Sequence, residues 1–572
     1  AGTRAGVRAG WLLPALVAVA LTGLVVVLRA YLTRPFWYDE IWRAHFVSEP
    51  IRSFWSELAV ANTPSALGWL AVTRASGELF GWQSWAIRLP SLLALPALGA
   101  ALVVLVRRFA GPVAAVFAVC WLCLGATFLD LATQLKPYTV EAFAAVAVLL
   151  LWTGGPGPGE GRDRVRLLRR TAAGLVALVA VPLVFLVVPL AAAELARGPA
   201  RWRRAAESLP AVLLVGLHTL VFLGHQSSQR QGSYWDQHFL AGRDPLEMAA
   251  FLGRQLHALL TGSPPGIDRF DPSLVHRSVE LPGWLPWVLA PAVLAAGVLG
   301  VAALARRADG RLVLAALFGA HLLMLAASAI RFWPVGPVRV NQFVVPLLIL
   351  VVVVGADRAA RMLWARLRGL RARPGLSRSP GHGSSDEEPP SGGVPLGHLV
   401  PGQRTPSPSG RGSVEPRVLS TVGGPSGSVP FRAELPGSDP SGSGGGEGGG
   451  LAGARPHPPL FRLDGAYRVG YRGAGAQAAA RARAGAAAAL VLLLAVPALA
   501  GLALYGSTAG DRLVWERRDR LRGLDLMVDA AIAARRLYQP GDLLVVGGRL
   551  ARPGWIYAME ASEDGPRRPA DL

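Results

Sequence analysis

Two short stretches of the sequence carry side chains whose types and spacing suit chemistry. In "FWYDEIWRAHF", residues 36–46, Asp39 and Glu40 come directly behind Phe36, Trp37 and Tyr38. Aromatic side chains favour the depth where lipid headgroups meet hydrocarbon. A carboxylate held there is partly desolvated and suits two tasks, taking a proton from a hydroxyl or holding a divalent cation. A pair of ordinary loop acids beside an aromatic belt gives the same pattern. The second stretch, "LATQLKPYTVE" over 131–141, contains Lys136, the only lysine in a chain with 58 Lys and Arg residues. Asp130 precedes it and Tyr138 follows it closely. An ammonium is a compact charge suited to a phosphate oxygen, although a lysine at a helix end also reaches headgroups by snorkelling. Arg88 in "WAIRLPS" and Arg331 and Arg339 in "RFWPVGPVRVNQF" stand at similar boundaries of apolar segments.

Those segments are the elements that must position the chemistry. The 572 residues are 52% hydrophobic with a mean hydropathy of +0.37, more than the core of a soluble domain needs. Apolar runs at 11–28, 87–106, 112–129, 137–152, 208–224, 283–304, 312–330, 341–354 and 484–505 reach or approach the roughly 20 residues that cross a hydrocarbon core. The expected fold is therefore an all-α polytopic membrane protein. The formal charge of +21 does not spread over one face as a nucleic-acid surface would. Arginines gather between the runs, at 107–108, 162–170, 201–204, 306–307 and 361–373, as in cytoplasmic loops. That orientation puts the N-terminus in the cytoplasm and residues 31–86, 225–282 and 506–572 outside a plasma membrane. Residues 171–195 are long enough to cross but have basic loops at both ends. They read as a broken or re-entrant pair of short helices around Pro182 or Pro189, giving nine spans, or eleven if the pair crosses fully. Arg88, Lys136, Arg331 and Arg339 then lie outside, against the usual bias, and call for an anionic partner. A lipid-linked phosphate or diphosphate is the economical one.

The remaining features mostly exclude. Lys136 is followed by Pro137, so no phosphate-binding Gly-Lys-Ser/Thr loop exists, and no HExxH zinc motif occurs. Cys120 and Cys123 lie inside an apolar run, where a thiol pair reads as packing. The first run lacks a clear signal-peptide cleavage site. The outer segment 225–280 offers His225, Tyr234, Trp235, Asp236 and His238, aromatic and polar groups that suit a sugar's apolar face and hydroxyls; the spacing of the two histidines and Asp236 fits no compact metal geometry. The domain plan is a multi-span module at 1–360, a basic and then Gly/Pro/Ser-rich cytoplasmic linker at 361–483, a last span at 484–505, and a small outer segment at 506–572. The linker composition from about 373 to 459 predicts disorder. The outer segment reads as an amphipathic helix over 521–537, a turn, and a strand at 543–546.

The order of "WYDE" after the first run, Asn62–Pro64, "RLPS" opening the next run and "KPYTVE" opening the fourth resembles the GT-C integral membrane glycosyltransferases of the protein mannosyltransferase and aminoarabinose transferase group, over most of residues 10–360. The resemblance implies a helical bundle with an extracytoplasmic first loop. It implies an inverting hexosyl- or pentosyltransferase that takes its sugar from a polyprenyl-phosphate donor. In its terms Asp39 is the acidic residue of the first outer loop that is the catalytic base or its neighbour, and Glu40 the adjacent carboxylate. Lys136 and Tyr138, with Arg88 and Arg339, contact the donor phosphate, and a divalent metal ion on that phosphate is expected. "RVNQFVVP" departs from the family's more compact arginine-tyrosine pattern, which bears on Arg339. His225, Tyr234, Trp235 and Asp236 are the candidates for sugar or acceptor binding. The partners expected are the lipid donor, membrane lipids and an acceptor of unspecified kind, with no nucleic acid. The alternative from another class is a transporter or flippase of a lipid-linked envelope precursor. Its mid-depth ionisable groups and two-fold repeat are not evident in the sequence. A non-catalytic scaffold would leave the outer cations and acids without a task.

Overall fold

The computed structural model describes residues 2–28, 38–59, 64–154, 162–196, 201–227, 235–261 and 285–371, together with positions 32 and 36 and short pieces between 533 and 566. Helices α1 (Gly2–Leu28), α2 (Tyr38–Ser48), α3 (Ile51–Ala59), α4 (Leu67–Phe80), α5 (Ser84–Arg107), α6 (Pro112–Cys123), α7 (Ala126–Ala132) and α8 (Tyr138–Trp152) form the first half. The second half contains α9 (Arg162–Ala177), α10 (Val184–Leu195), α11 (Arg201–Leu217), α12 (Gly224–Ser227), α13 (Pro245–Thr261), α14 (Leu285–Ala305), α15 (Ala308–Ala329) and α16 (Val345–Arg371). The strands among the described residues are β1 (Ala561–Ser562) and β2 (Gly565–Pro566), paired antiparallel. The chain is an all-α polytopic membrane protein. Four helical stretches are long and apolar enough to cross a membrane, Ser84–Arg107, Arg201–Gln226, Ala308–Ala329 and Arg339–Ala365, and five shorter apolar helices stand with them among the described residues. The expected span at 484–505, the linker and most of the 521–537 helix and 543–546 strand lie outside the described residues.

One expected span is interrupted, and the pair expected at 171–195 is broken. The run 112–129 is α6 and α7, broken at Leu124–Gly125, where Gly125 takes an extended conformation ahead of α7. In 171–195 the helix stops after Ala177, and the chain re-enters a helical turn at Val181–Leu183 with Pro182 in its first positions. Proline lacks the N–H that an interior position must donate but suits a first turn, so the break falls just before Pro182, while Pro189 sits inside α10. Arg170 of α9 pairs with Glu194 of α10 at 2.8 Å, so the two arms of the pair meet at their flanks.

One end of the bundle is fastened by arginine. The last carbonyls of a helix have no partner within it and favour cations. At the end of α8, Arg169 donates to the carbonyls of Leu150, Leu151 and Thr153 at 2.7–3.0 Å. Arg170 donates to that of Trp152 at 2.6 Å and lies 4.2 Å over its ring. Arg108, just past α5, donates to Thr153 O and Oγ1 at 3.0 and 2.6 Å. Asp309, opening α15, accepts from Gly154 N–H at 3.2 Å, and Arg307 donates to Arg108 O at 2.8 Å. The basic loops at 107–108, 162–170 and 306–307 thus converge. Helices α5 and α8 run parallel from the opposite end to this one, with α6 and α7 as the return.

Glycine sets the spacing of α14 and α16. A Cβ on Gly300 would run into the carbonyl oxygen of Val351, and one on Gly355 into that of Ala296. The two backbones meet through this reciprocal pair of missing side chains, the usual means of close helix packing where lipid offers no hydrophobic contrast.

Candidate functional site

At the end opposite the arginines, the first turn of α2 is bound to the start of α8. Glu40 is 1% exposed, and Arg88, near the start of α5, is 0% exposed. Arg88 Nε donates to Glu40 Oε1 at 3.2 Å and Nη2 to Oε2 at 3.0 Å, a two-pronged ion pair. Its Nη1 donates to Leu32 O at 2.7 Å, and the guanidinium lies 4.4 Å over the Phe36 ring. The Leu135 N–H also donates to Glu40 Oε1. One carboxylate therefore joins three segments far apart in sequence: the entry to α2, the start of α5, and the turn before α8. Ser91, one turn beyond Arg88, donates to Lys136 O at 2.8 Å and fastens that turn from the other side.

This arrangement fixes the residues expected to act. Asp39 occupies the first turn of α2, beside Glu40. Lys136 follows Leu135 and is 0% exposed, so it is enclosed by protein and does not snorkel to headgroups. Asp130, also buried, accepts from Gln134 Nε2 at 2.9 Å. Tyr138, first residue of α8, packs with Leu131 and with Val340 of the 3-10 turn Arg339–Val344 that leads into α16. The Lys136–Tyr138 corner and the Arg339 turn are thereby neighbours. Of the expected phosphate contacts, Arg88 is engaged with Glu40, whereas Tyr138 and Arg339 lie on two elements packed together, with Lys136 in the turn just before α8.

The expected sugar-binding residues divide. Trp235 stands 5.8 Å from the Arg339 guanidinium and 5.7 Å from the His238 ring, which ties the 235–238 turn to the site end. Asp236 is on that turn and exposed. His225 is elsewhere: its ring stacks on Trp55 of α3 at 4.0 Å and Nε2 donates to Trp55 O at 2.7 Å. Next to it Gln226 closes a two-way bond with Ser65, accepting its N–H at 2.9 Å and donating to its carbonyl at 3.0 Å. These contacts hold α12 to α3 and to the loop before α4. Tyr234 lies outside the described residues, as do Asn62 and the side chain of Asp39.

Sequence reasoning missed Asn341 and Gln342. Asn341 Oδ1 accepts from Trp333 Nε1 at 2.7 Å, and its Nδ2 donates to Pro334 O and Gly336 O at 3.1 and 2.8 Å. It thereby shapes the loop before Arg339, in which Arg331 adopts a positive φ of 56°. Asn341 stands between Val340 and Gln342, four residues after Gly336–Pro337, and a single asparagine there is a weak turn signal. For a divalent ion, no group of three or more His, Cys, Asp or Glu side chains is gathered among the described residues.

No family model and no curated protein sequence matches the chain. Among solved structures it is similar to ArnT from Cupriavidus metallidurans in the apo state, at 19% identity and TM-score 0.36, over 65% of this chain and 66% of that one. ArnT bound to undecaprenyl phosphate gives 18% and 0.37 over 62% and 64%. The oligosaccharyltransferase of Archaeoglobus fulgidus in its apo form gives 14% and 0.36, over 63% of this chain and 53% of that one. At such scores the overlap is partial, and neither the fold nor the activity of this chain is taken from it.

Proposed function

We propose that the protein is a membrane glycosyltransferase that moves a sugar from a polyprenyl-phosphate donor to an acceptor hydroxyl on the extracytoplasmic side. The observation that carries this reading is the hydrogen bond from Leu135 N–H to Glu40. It sets the residue after Asp39 against the residue before Lys136, which supports a shared site for an acid and a cation 97 positions apart. Asp39 takes the proton of the acceptor hydroxyl as its oxygen attacks the anomeric carbon. The bond from that carbon to the phosphate oxygen breaks, and the developing negative charge falls to Lys136 and Arg339 in surroundings dry enough to strengthen the interaction. Tyr138 lines the same corner. Glu40 and Arg88 hold the geometry, since each satisfies the other. Trp235, beside Arg339, offers an aromatic face to the sugar. No step is routed through a metal ion.

The orientation rests on the arginine clamp. Its loops converge at one end, the composition expected of the cytoplasmic side, and the acid and lysine lie at the other. The N-terminus is then cytoplasmic. The direct test is transfer of labelled sugar from hexose- and pentose-bearing polyprenyl phosphates, using membranes with and without the protein. Transfer to a membrane acceptor that depends on the protein supports the reading. Movement of intact donor across the bilayer with no transfer would replace it with the flippase alternative.

A further inference from the structure

A 3-10 turn advances three residues per turn, so residues three apart eclipse one another on one face. In the turn Arg339–Val344 this superposes Gln342 on Arg339, one turn closer to α16. Arg339 reaches the rim beside Trp235. Gln342 is 1% exposed, and its side-chain oxygen has no hydrogen-bond partner among the described residues. Thr139, in the first turn of α8, is fully buried with its hydroxyl likewise unpartnered among the described residues. These two residues belong to elements that pack against each other, at the corner where Tyr138 meets Val340. The adjacent Asn341, by contrast, has its side-chain oxygen and amide nitrogen fully employed.

Buried polar groups in folded proteins are almost always paired, and an exception asks for a cause such as a ligand. An amide oxygen can only accept, so its missing partner must bring an O–H or N–H. A phosphate diester brings only acceptor oxygens and would repel it. On a lipid-phosphate sugar, the groups that donate are the sugar hydroxyls. Water could fill the same place in the resting protein, but a hydroxyl that displaces it must reproduce its bond.

We propose that Gln342 accepts a hydrogen bond from a hydroxyl of the donor sugar and thereby sets which sugar is taken, with Thr139 as the neighbouring polar contact on α8. This rests on the transferase reading and divides the labour at the site: cations for the phosphate, the Gln342 amide for the sugar. A site built to bond a hydroxyl rejects the analogue that lacks it, because its own buried group is left unpaired.

The test compares wild type with Gln342→Leu on the best polyprenyl-phosphate sugar and on its monodeoxy analogues, alongside binding of sugar-free polyprenyl phosphate. Wild type is expected to lose about tenfold in kcat/KM on one deoxy analogue, the weight of one neutral hydrogen bond. Gln342→Leu is expected to lose about tenfold on the full donor, to treat that analogue and the full donor alike, and to bind sugar-free lipid phosphate as wild type does. If the leucine variant does not accumulate, Gln342→Met, unbranched and of similar volume, is read in its place. Unchanged discrimination by the variant overturns the inference while leaving the transferase intact. Wild type that neither transfers any sugar nor binds polyprenyl phosphate overturns the transferase reading itself.

Discussion

Replacing Arg88 with methionine should unlock the site end of the bundle. Arg88 is fully enclosed, makes two bonds to Glu40 at 3.2 and 3.0 Å and one to Leu32 O at 2.7 Å, and covers Phe36 at 4.4 Å. Its removal leaves the Glu40 carboxylate buried without its cation. Breaking one side of a buried ion pair costs about 3–5 kcal/mol, which for a chain of this size lowers the unfolding midpoint by roughly 3–4 °C. Removing both charges together leaves no stranded ion. The double variant Glu40→Leu with Arg88→Met should therefore recover much of the loss, with a coupling of several kcal/mol between the two changes. The assay is unfolding of the purified, detergent-solubilised protein followed by tryptophan fluorescence, with sugar transfer measured on the same samples. Arg88→Met within about 1 °C of wild type, or additive behaviour in the double variant, would refute the pairing as the fastener. Glu40→Gln that keeps full stability and loses all transfer would move Glu40 from positioning to chemistry.

Other perturbations test other joints of the same structure. Asn341→Ala removes three hydrogen bonds from the 333–336 loop and strands Trp333 Nε1, a loss of about 2–4 kcal/mol that should appear as a lower unfolding midpoint and new proteolytic cleavage near 331–338. Gly355→Leu forces α16 away from Ala296 of α14 and should cost about 1–3 kcal/mol or more by overpacking, read by thermal unfolding. Gly216→Ala is the matched control: nothing lies within 4 Å of its Cβ position, so it should be neutral or gain up to about 1 kcal/mol in helix propensity. Arg169→Ala frees the terminal carbonyls of α8 at the end remote from Lys136. It should lower stability by about 1–3 kcal/mol and leave the affinity for polyprenyl phosphate, measured on the folded fraction, unchanged.

Apolar runs of about 20 residues report their own burial, so the helical, polytopic plan was legible without coordinates, and so was a broken pair within 171–195, since basic loops at both ends fit no single crossing. What a hydropathy pattern does not carry is the partner of a polar side chain. Arg88 looks like any cation at the mouth of a span, and nothing in the sequence says that Glu40, 48 residues earlier, occupies it. Lys136 could be placed at a helix start, but its complete enclosure depends on how α8 packs with its neighbours. The stacking of His225 on Trp55, 170 residues earlier, is likewise a contact that spacing does not reveal. The break at Leu124–Gly125 was hidden because a glycine inside an apolar run is also common in unbroken membrane helices. Gln342 carries no sequence signal, since its distinction is a bond it does not make.

The most direct measurement separates donor binding from transfer in two variants at matched protein levels. Lys136→Ala should weaken binding of polyprenyl phosphate, because the cation proposed to hold the phosphate is lost. Asp39→Asn should bind the donor as wild type does and transfer its sugar roughly 100- to 10,000-fold more slowly, the range expected for loss of a general base. Equal transfer by wild type and both variants, or loss of donor binding in Asp39→Asn with Lys136→Ala unaffected, would contradict an acid and a cation acting together at one site.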